Sequence, residues 1–287
     1  MKLGLALSGG GIRGIAHAGV LKALEENNIK IDAIGGTSSG SIIATMYALG
    51  YSSDEMWKMF KKYCKRITYV ECKQILKMVV GLLFTRRLVI DGLNSGKVIE
   101  KIIKEICEDS QIKNINQIKM PLMISMVDLQ KGTVYIASSK EVRANLLDNT
   151  KYITDIPIST AVRASCSFPV VFSPCEYDGI QLIDGGTREN LPWKGLKDIG
   201  ANEVFGVAFD TILEKNQCCK NIVEVAARAM ELQGRELSMY EKVGIDHLIN
   251  INLKKVSLLD LSQINLLYKM GYEETKKQLL KKLETQV

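Results

Sequence analysis

The chain has 287 residues, 46% of them hydrophobic, which suits one large α/β domain with a sizeable core. The net charge of +6 is spread along the chain and only 6% of residues are aromatic. That lacks the clustered basic and aromatic pattern of a nucleic-acid binder and leaves a soluble basic protein or one drawn to anionic membrane surface.

Residues 2–7 read as a short strand that enters a glycine-rich loop at 8–14. This opening is too short and too glycine-rich for a signal peptide. Residues 15–27 carry apolar positions at Ile15, Ala18, Val20, Leu21 and Leu24, a helical spacing. A second strand is predicted at 31–35, a turn from Gly36 to Gly40, and an apolar helix at 41–49. This βαβα opening implies a parallel sheet with helices on its faces.

The stretch 51–118 reads as mainly helical and rich in lysine. Within it, the apolar run Met78–Phe84 is flanked by Lys73, Lys77, Arg86 and Arg87. It suits either a cap helix with solvated ends or a segment that dips into a bilayer interface. Nowhere is there the run of about 18 apolar residues that a membrane span needs. Strands are predicted at 122–127 and 133–137, and a short helix at 158–165. Asp178-Gly179 between 175–177 and 180–183 is a two-residue hairpin signal. Further strands are expected at 203–209 and 247–253, with helices at 221–240 and 262–283. The Lys-rich end of the last helix, 276–282, reads as a solvated face. The whole pattern predicts one α/β domain over 1–287, a three-layer sandwich with a mostly parallel central sheet. Seven cysteines without CxxC spacing point to reduced thiols and a cytoplasmic protein.

Three glycine-rich turns carry the chemistry. Gly36-Thr37-Ser38-Ser39-Gly40 is a G-x-S-x-G between a predicted strand and a predicted helix. A serine there exposes its Oγ above the sheet edge, and the helix N-terminus aims partial positive charge at it. Gly36 and Gly40 leave room for the close approach. The second turn, Gly9-Gly10-Gly11-Ile12-Arg13-Gly14, follows the first strand. Its backbone N–H groups can converge on an oxyanion or on a phosphate. It also fits G-x-G-x-x-G, but the second strand ends in Gly35-Gly36-Thr37-Ser38 without the acidic residue that a dinucleotide's ribose needs. No Gly-Lys-Ser/Thr follows, which excludes a Walker loop. Arg13 is either a surface residue at a helix start or a helper in anion binding. The third turn, Asp184-Gly185-Gly186, presents a carboxylate at a strand end, as a backbone cap or as an active group.

A serine nucleophile needs a base, and the chain has two histidines. His17 falls in the first helix, a packing position. His247 begins a predicted strand, although the order Ser38, Asp184, His247 matches that of α/β-hydrolases and keeps a triad open. The other choice is direct transfer of the serine proton to Asp184, whose free pKa near 3.9 must then be raised by burial.

Together the three turns resemble the patatin-like phospholipases. The segment 161–174 (AVRASCSFPVVFSP) and Asn190-Leu191-Pro192 are similar to that family's surroundings of the aspartate. The resemblance is strongest over residues 1–210. It implies Ser38 as acyl nucleophile and Asp184 as its base. It further implies an oxyanion hole in the loop Gly9, Gly10, Gly11, Ile12, Arg13 and Gly14, chiefly the N–H groups of Gly10, Gly11 and Ile12. No metal or cofactor is implied. The implied substrate is an acyl ester of a phospholipid or lysophospholipid, met with or without peripheral membrane contact. An acyl transferase is the neighbouring expectation, and oligomeric state is not legible.

Overall fold

The computed structural model describes residues 2–67, 90–142, 149–211, 218–253 and 261–284. The segment 73–87 lies outside them.

The strands are β1 (Leu3–Leu7), β2 (Ala33–Thr37), β3 (Leu122–Asp128), β4 (Val134–Ser138), β5 (Thr150–Ile153), β6 (Cys175–Tyr177), β7 (Ile180–Asp184), β8 (Glu203–Thr211) and β9 (His247–Leu253). The helices are α1 (Ile15–Glu26), α2 (Ser39–Ala48), α3 (Ser53–Ile67), α4 (Lys97–Glu108), α5 (Ile158–Ser165), α6 (Trp193–Asp198), α7 (Ile222–Glu241) and α8 (Ile264–Glu284). One sheet runs β5-β4-β3-β2-β1-β8-β9, with β7 beside β3 and β6 beside β7. The central ladders β3-β2-β1-β8-β9 are all parallel, and the antiparallel pairs are β3-β4, β3-β7 and β6-β7.

Side-chain alternation sorts the layers. Leu5 and Leu7 of β1, Ile34 of β2, Ile124 of β3 and Val207 of β8 face a core built with α1 to α5 and α8. Their neighbours Ala6, Ala33, Met123 and Ala208 face a smaller core around Trp193 and Leu196 of α6. This is the expected three-layer sandwich, thicker on one side. In the thick layer α1 and α8 cross closely through glycines. A Cβ on Gly19 would lie 2.0 Å from Tyr268 O, and one on Gly271 would lie 2.0 Å from Ala16 O.

The departures from expectation are local. The second strand runs through Gly36 and Thr37, because both sit in register, Gly36 opposite Leu7 and Thr37 opposite Ser125. Strand β5 and helix α6 are additional elements, both short. The predicted hairpin forms, with Asp178 and Gly179 at φ of 48° and 73°, the left-handed pair that a tight two-residue turn requires.

Candidate active site

The register of β3 brings the serine and the aspartate together. Thr37 pairs with Ser125, where β2 ends. One residue further along, Met126 pairs with Asp184 at the end of antiparallel β7. Ser38 and Asp184, 146 positions apart in the chain, therefore come to adjacent places at the C-terminal edge of the parallel strands. This is where open α/β sheets hold their ligands.

Ser38 links β2 to α2 with φ 52° and ψ −126°, a strained left-handed conformation for a residue with a side chain. The strain is held by its neighbours. Ser38 donates its N–H to Ser165 Oγ at 2.8 Å, and its carbonyl accepts from Ser41 N–H at 2.9 Å and Ser41 Oγ at 2.6 Å. The flanking glycines are obligatory: a Cβ on Gly36 would lie 2.4 Å from Gly40 C, and one on Gly40 2.4 Å from Leu7 O. Both obstacles are backbone. Gly40→Ala is expected to cost about 1–3 kcal/mol of stability, from the overpacking alone. It should also displace Ser38 and lower its reactivity. Thermal melts and esterase assays check this together, and an unaltered Tm would contradict it.

Asp184 is buried, 3% exposed, and its carboxylate accepts from Gly186 N–H at 2.8 Å. The Ser38 side chain lies close enough to the same carboxyl to favour its ionised form. Burial outweighs the opposing effects of Ser38 and Gly186 N–H and raises the Asp184 pKa to about 6. The following glycine is again forced, since a Cβ on Gly185 would meet Ser125 O at 2.5 Å. Burial pushes the pKa of the nearby Cys166 thiol up, so it stays protonated.

The glycine loop packs directly on the serine. A Cβ on Gly9 would lie 3.0 Å from Ser38 Cβ, and one on Gly14 2.5 Å from Ser39 Cβ. Gly9 N–H goes to Asn190 Oδ1 at 2.9 Å, and Arg13 N–H to Gly10 O at 3.2 Å. Among the described residues the N–H groups of Gly10, Gly11 and Ile12 find no acceptor, so they are the donors available to an anion. Gly9, Arg13 and Gly14 shape the loop instead. Arg13 is buried rather than on the surface, its guanidinium facing the Glu231 charge, and desolvation lowers its pKa.

Neither histidine reaches Ser38. His17 lies beneath the loop, fully buried, with Nε2 2.8 Å from Ser8 O and its ring against Phe209. Burial holds its pKa down to about 4, so it is neutral. His247 pairs with Phe205 near the start of β8, and Nε2 lies 3.0 Å from Glu203 Oε2. Through Phe205, His247 stands level with Leu5 at the start of β9, and β9 lies three strands from β2, so the imidazole's strand is roughly 14 Å across the sheet from that of Ser38. The structure does not assemble a Ser38–Asp184–His247 triad.

Sequence reasoning assigned no role to several residues of this site. Asn190 bridges toward Gly9, Glu189 accepts from Ser125 Oγ at 2.9 Å, and Glu241 accepts from Asn190 N–H at 2.6 Å. Asn190 had a signal in its place shortly after Asp184-Gly185-Gly186. A half-buried glutamate at the end of a polar helix had none. Among the described residues no group of acidic, histidine and cysteine side chains could hold a metal ion. No described helix is long and apolar enough to cross a membrane.

The family model described as patatin-like phospholipase matches residues 5–197. Lysophospholipase NTE1 of Lodderomyces elongisporus is 32% identical over 208 residues, covering 71% of this chain and 12% of that protein. Its counterpart in Candida albicans is also 32% identical over 208 residues, covering 71% of this chain and 13% of that one. The chain thus spans about an eighth of the length of these curated relatives. Among solved structures, VipD from Legionella pneumophila superposes with a TM-score of 0.51 at 16% identity, covering 96% of this chain and 66% of that one. That likeness is one of fold.

Proposed function

This chain belongs to the patatin-like phospholipase family, and on that premise we propose that it hydrolyses fatty acyl esters of phospholipids or lysophospholipids through an acyl-enzyme on Ser38. The observation that carries this reading is the placement of Ser38, on its strained turn, beside the buried Asp184 carboxyl whose pKa it influences, with no imidazole in reach.

Asp184 accepts the Ser38 proton as Oγ attacks the ester carbonyl. The N–H groups of Gly10, Gly11 and Ile12 hold the oxyanion, reinforced by the N-terminus of α2. The ester C–O bond then breaks and the leaving alkoxide takes the proton back from Asp184. Water enters, gives its proton to Asp184 and attacks the acyl carbon. Fatty acid leaves and Ser38 Oγ is reprotonated. A base near pKa 6 suits this work better than an ordinary aspartate. It is ionised at neutral pH yet holds a proton more firmly. No metal or cofactor enters this sequence of steps.

The same reading treats 1–287 as one acyl hydrolase domain that works in the cytoplasm and meets lipid at a surface. The relatives' names make a lysophospholipid the first substrate to try. Free fatty acid released from lysophosphatidylcholine in water supports hydrolysis. Transfer of the acyl group to an added alcohol or thiol, without free acid, would replace it with an acyl transferase. His247→Ala should keep activity within about twofold, since surface changes remote from the chemistry have small effects. Loss of most activity in a folded His247→Ala protein would bring back the triad.

A further inference from the structure

The glycine loop is braced from behind. Gly9 N–H goes to Asn190 Oδ1 at 2.9 Å and points to Asn190 O at 3.4 Å. Asn190 donates its own N–H to Glu241 Oε1 at 2.6 Å. Glu241 lies in the last turn of α7, and its carbonyl accepts Trp193 Nε1–H at 2.6 Å, which ties the helix end to α6. The same helix carries Glu231, whose charge acts on the buried Arg13 guanidinium of the loop. Asn190 also stands close to the Asp184 turn: a Cβ on Gly186 would lie 3.1 Å from its Oδ1. One side chain of Asn190 thus sits between the serine's loop and the aspartate's turn.

Glu241 is an unusual brace. Its second oxygen, Oε2, is buried and has no hydrogen-bond partner. An ionised carboxyl with an unpaired buried oxygen is costly, which favours the neutral acid. The charged groups facing it are Glu189, from the segment after Asp184, and Lys194 at the start of α6. Burial first, and then Glu189, raise the Glu241 pKa to about 8. The N–H groups of Asn190 and Leu191 and the Lys194 ammonium pull the other way.

We propose that Glu241 is a positioning residue whose uncharged carboxyl, acting through Asn190, holds the Gly9–Ile12 loop where its free N–H groups meet the oxyanion. Ionised, it sets a negative charge behind that loop and opposes the oxyanion. This rests on the acyl hydrolase reading given above. The wild-type rate should then fall as pH rises through about 8.

Glu241→Ala and Glu241→Gln in the full chain test it, by kcat and KM on a short-chain nitrophenyl ester from pH 5 to 10. Hydrogen–deuterium exchange of the peptide spanning residues 8–14 is the second readout. Glu241→Ala should lower kcat by about 10²-fold with KM within about twofold, the signature of a misplaced site, and should speed exchange in the loop. Glu241→Gln keeps the acceptor for Asn190, so it should restore kcat near neutral pH and loop protection, while the alkaline fall disappears. Unchanged exchange in Glu241→Ala, or an alkaline fall that persists in Glu241→Gln, overturns the proposal. If wild type hydrolyses nothing, the acyl hydrolase reading fails, and the exchange data still decide whether Glu241 braces the loop. Should Glu241→Ala not fold, the pH profile of Glu241→Gln decides.

Discussion

Ser38→Ala is expected to reduce ester hydrolysis to the level of the uncatalysed reaction while leaving the fold intact. The magnitude follows from what the hydroxyl does. Without it no acyl-enzyme can form, and loss of a serine nucleophile elsewhere costs about 10⁶-fold in kcat. The fold should survive for a structural reason. The hydrogen bonds that hold residue 38 use its backbone, N–H to Ser165 Oγ and C=O to Ser41, rather than its side chain. Its φ of 52° is strained with or without the hydroxyl. The variant should therefore melt close to wild type. A residual rate above about 1% in a folded Ser38→Ala protein would place the nucleophile elsewhere.

Asp184→Asn should lower kcat by about 10²–10⁴-fold, the usual worth of a positioned general base. In the wild type, kcat/KM should rise with pH through about 6, as the Asp184 carboxyl becomes ionised and able to accept the Ser38 proton. The same substitution should stabilise the protein at pH 8. The sign follows from linkage: the folded pKa lies above the unfolded one, so the folded state binds this proton more tightly. Stability from the group is full below the ordinary carboxyl range and is lost as pH rises through about 6. An amide cannot ionise and so avoids that loss, on the order of 1–3 kcal/mol. Its Oδ1 can still accept from Gly186 N–H. Lower activity together with a higher Tm at pH 8 separates a working carboxylate from a structural cap, whose removal would lower both.

The elements of the fold were legible where the hydrophobic period is long or the turn chemistry is sharp. The strand Leu3–Leu7, the helix Ile15–Glu26 and the hairpin at Asp178-Gly179 needed nothing beyond local pattern. The extent of β2 was not legible, because glycines have low strand propensity and Gly36 earns its place only through the closeness of Gly40. Strand β5 is four residues with one face exposed, and α6 is six residues after a proline, too short for a period to register.

The site divides the same way. Ser38, Asp184 and the glycine loop announce themselves because each needs glycine neighbours, and glycine clusters show in a sequence. Their adjacency depends on β3 pairing first with β2 and then with β7, a non-local register. Asn190, Glu189 and Glu241 work through burial and hydrogen bonds across segments, and a polar residue in a polar stretch carries no mark of either. The placement of His247 on a strand three away from β2 was also a matter of topology, since its order in the chain fitted a triad.

The most direct test of Ser38 as the nucleophile is intact-mass analysis after treatment with a fluorophosphonate, on wild type and on Ser38→Ala. One covalent adduct on the wild type and none on the variant is the predicted result. An unlabelled wild type, or an adduct that persists when Ser38 is gone, would contradict it.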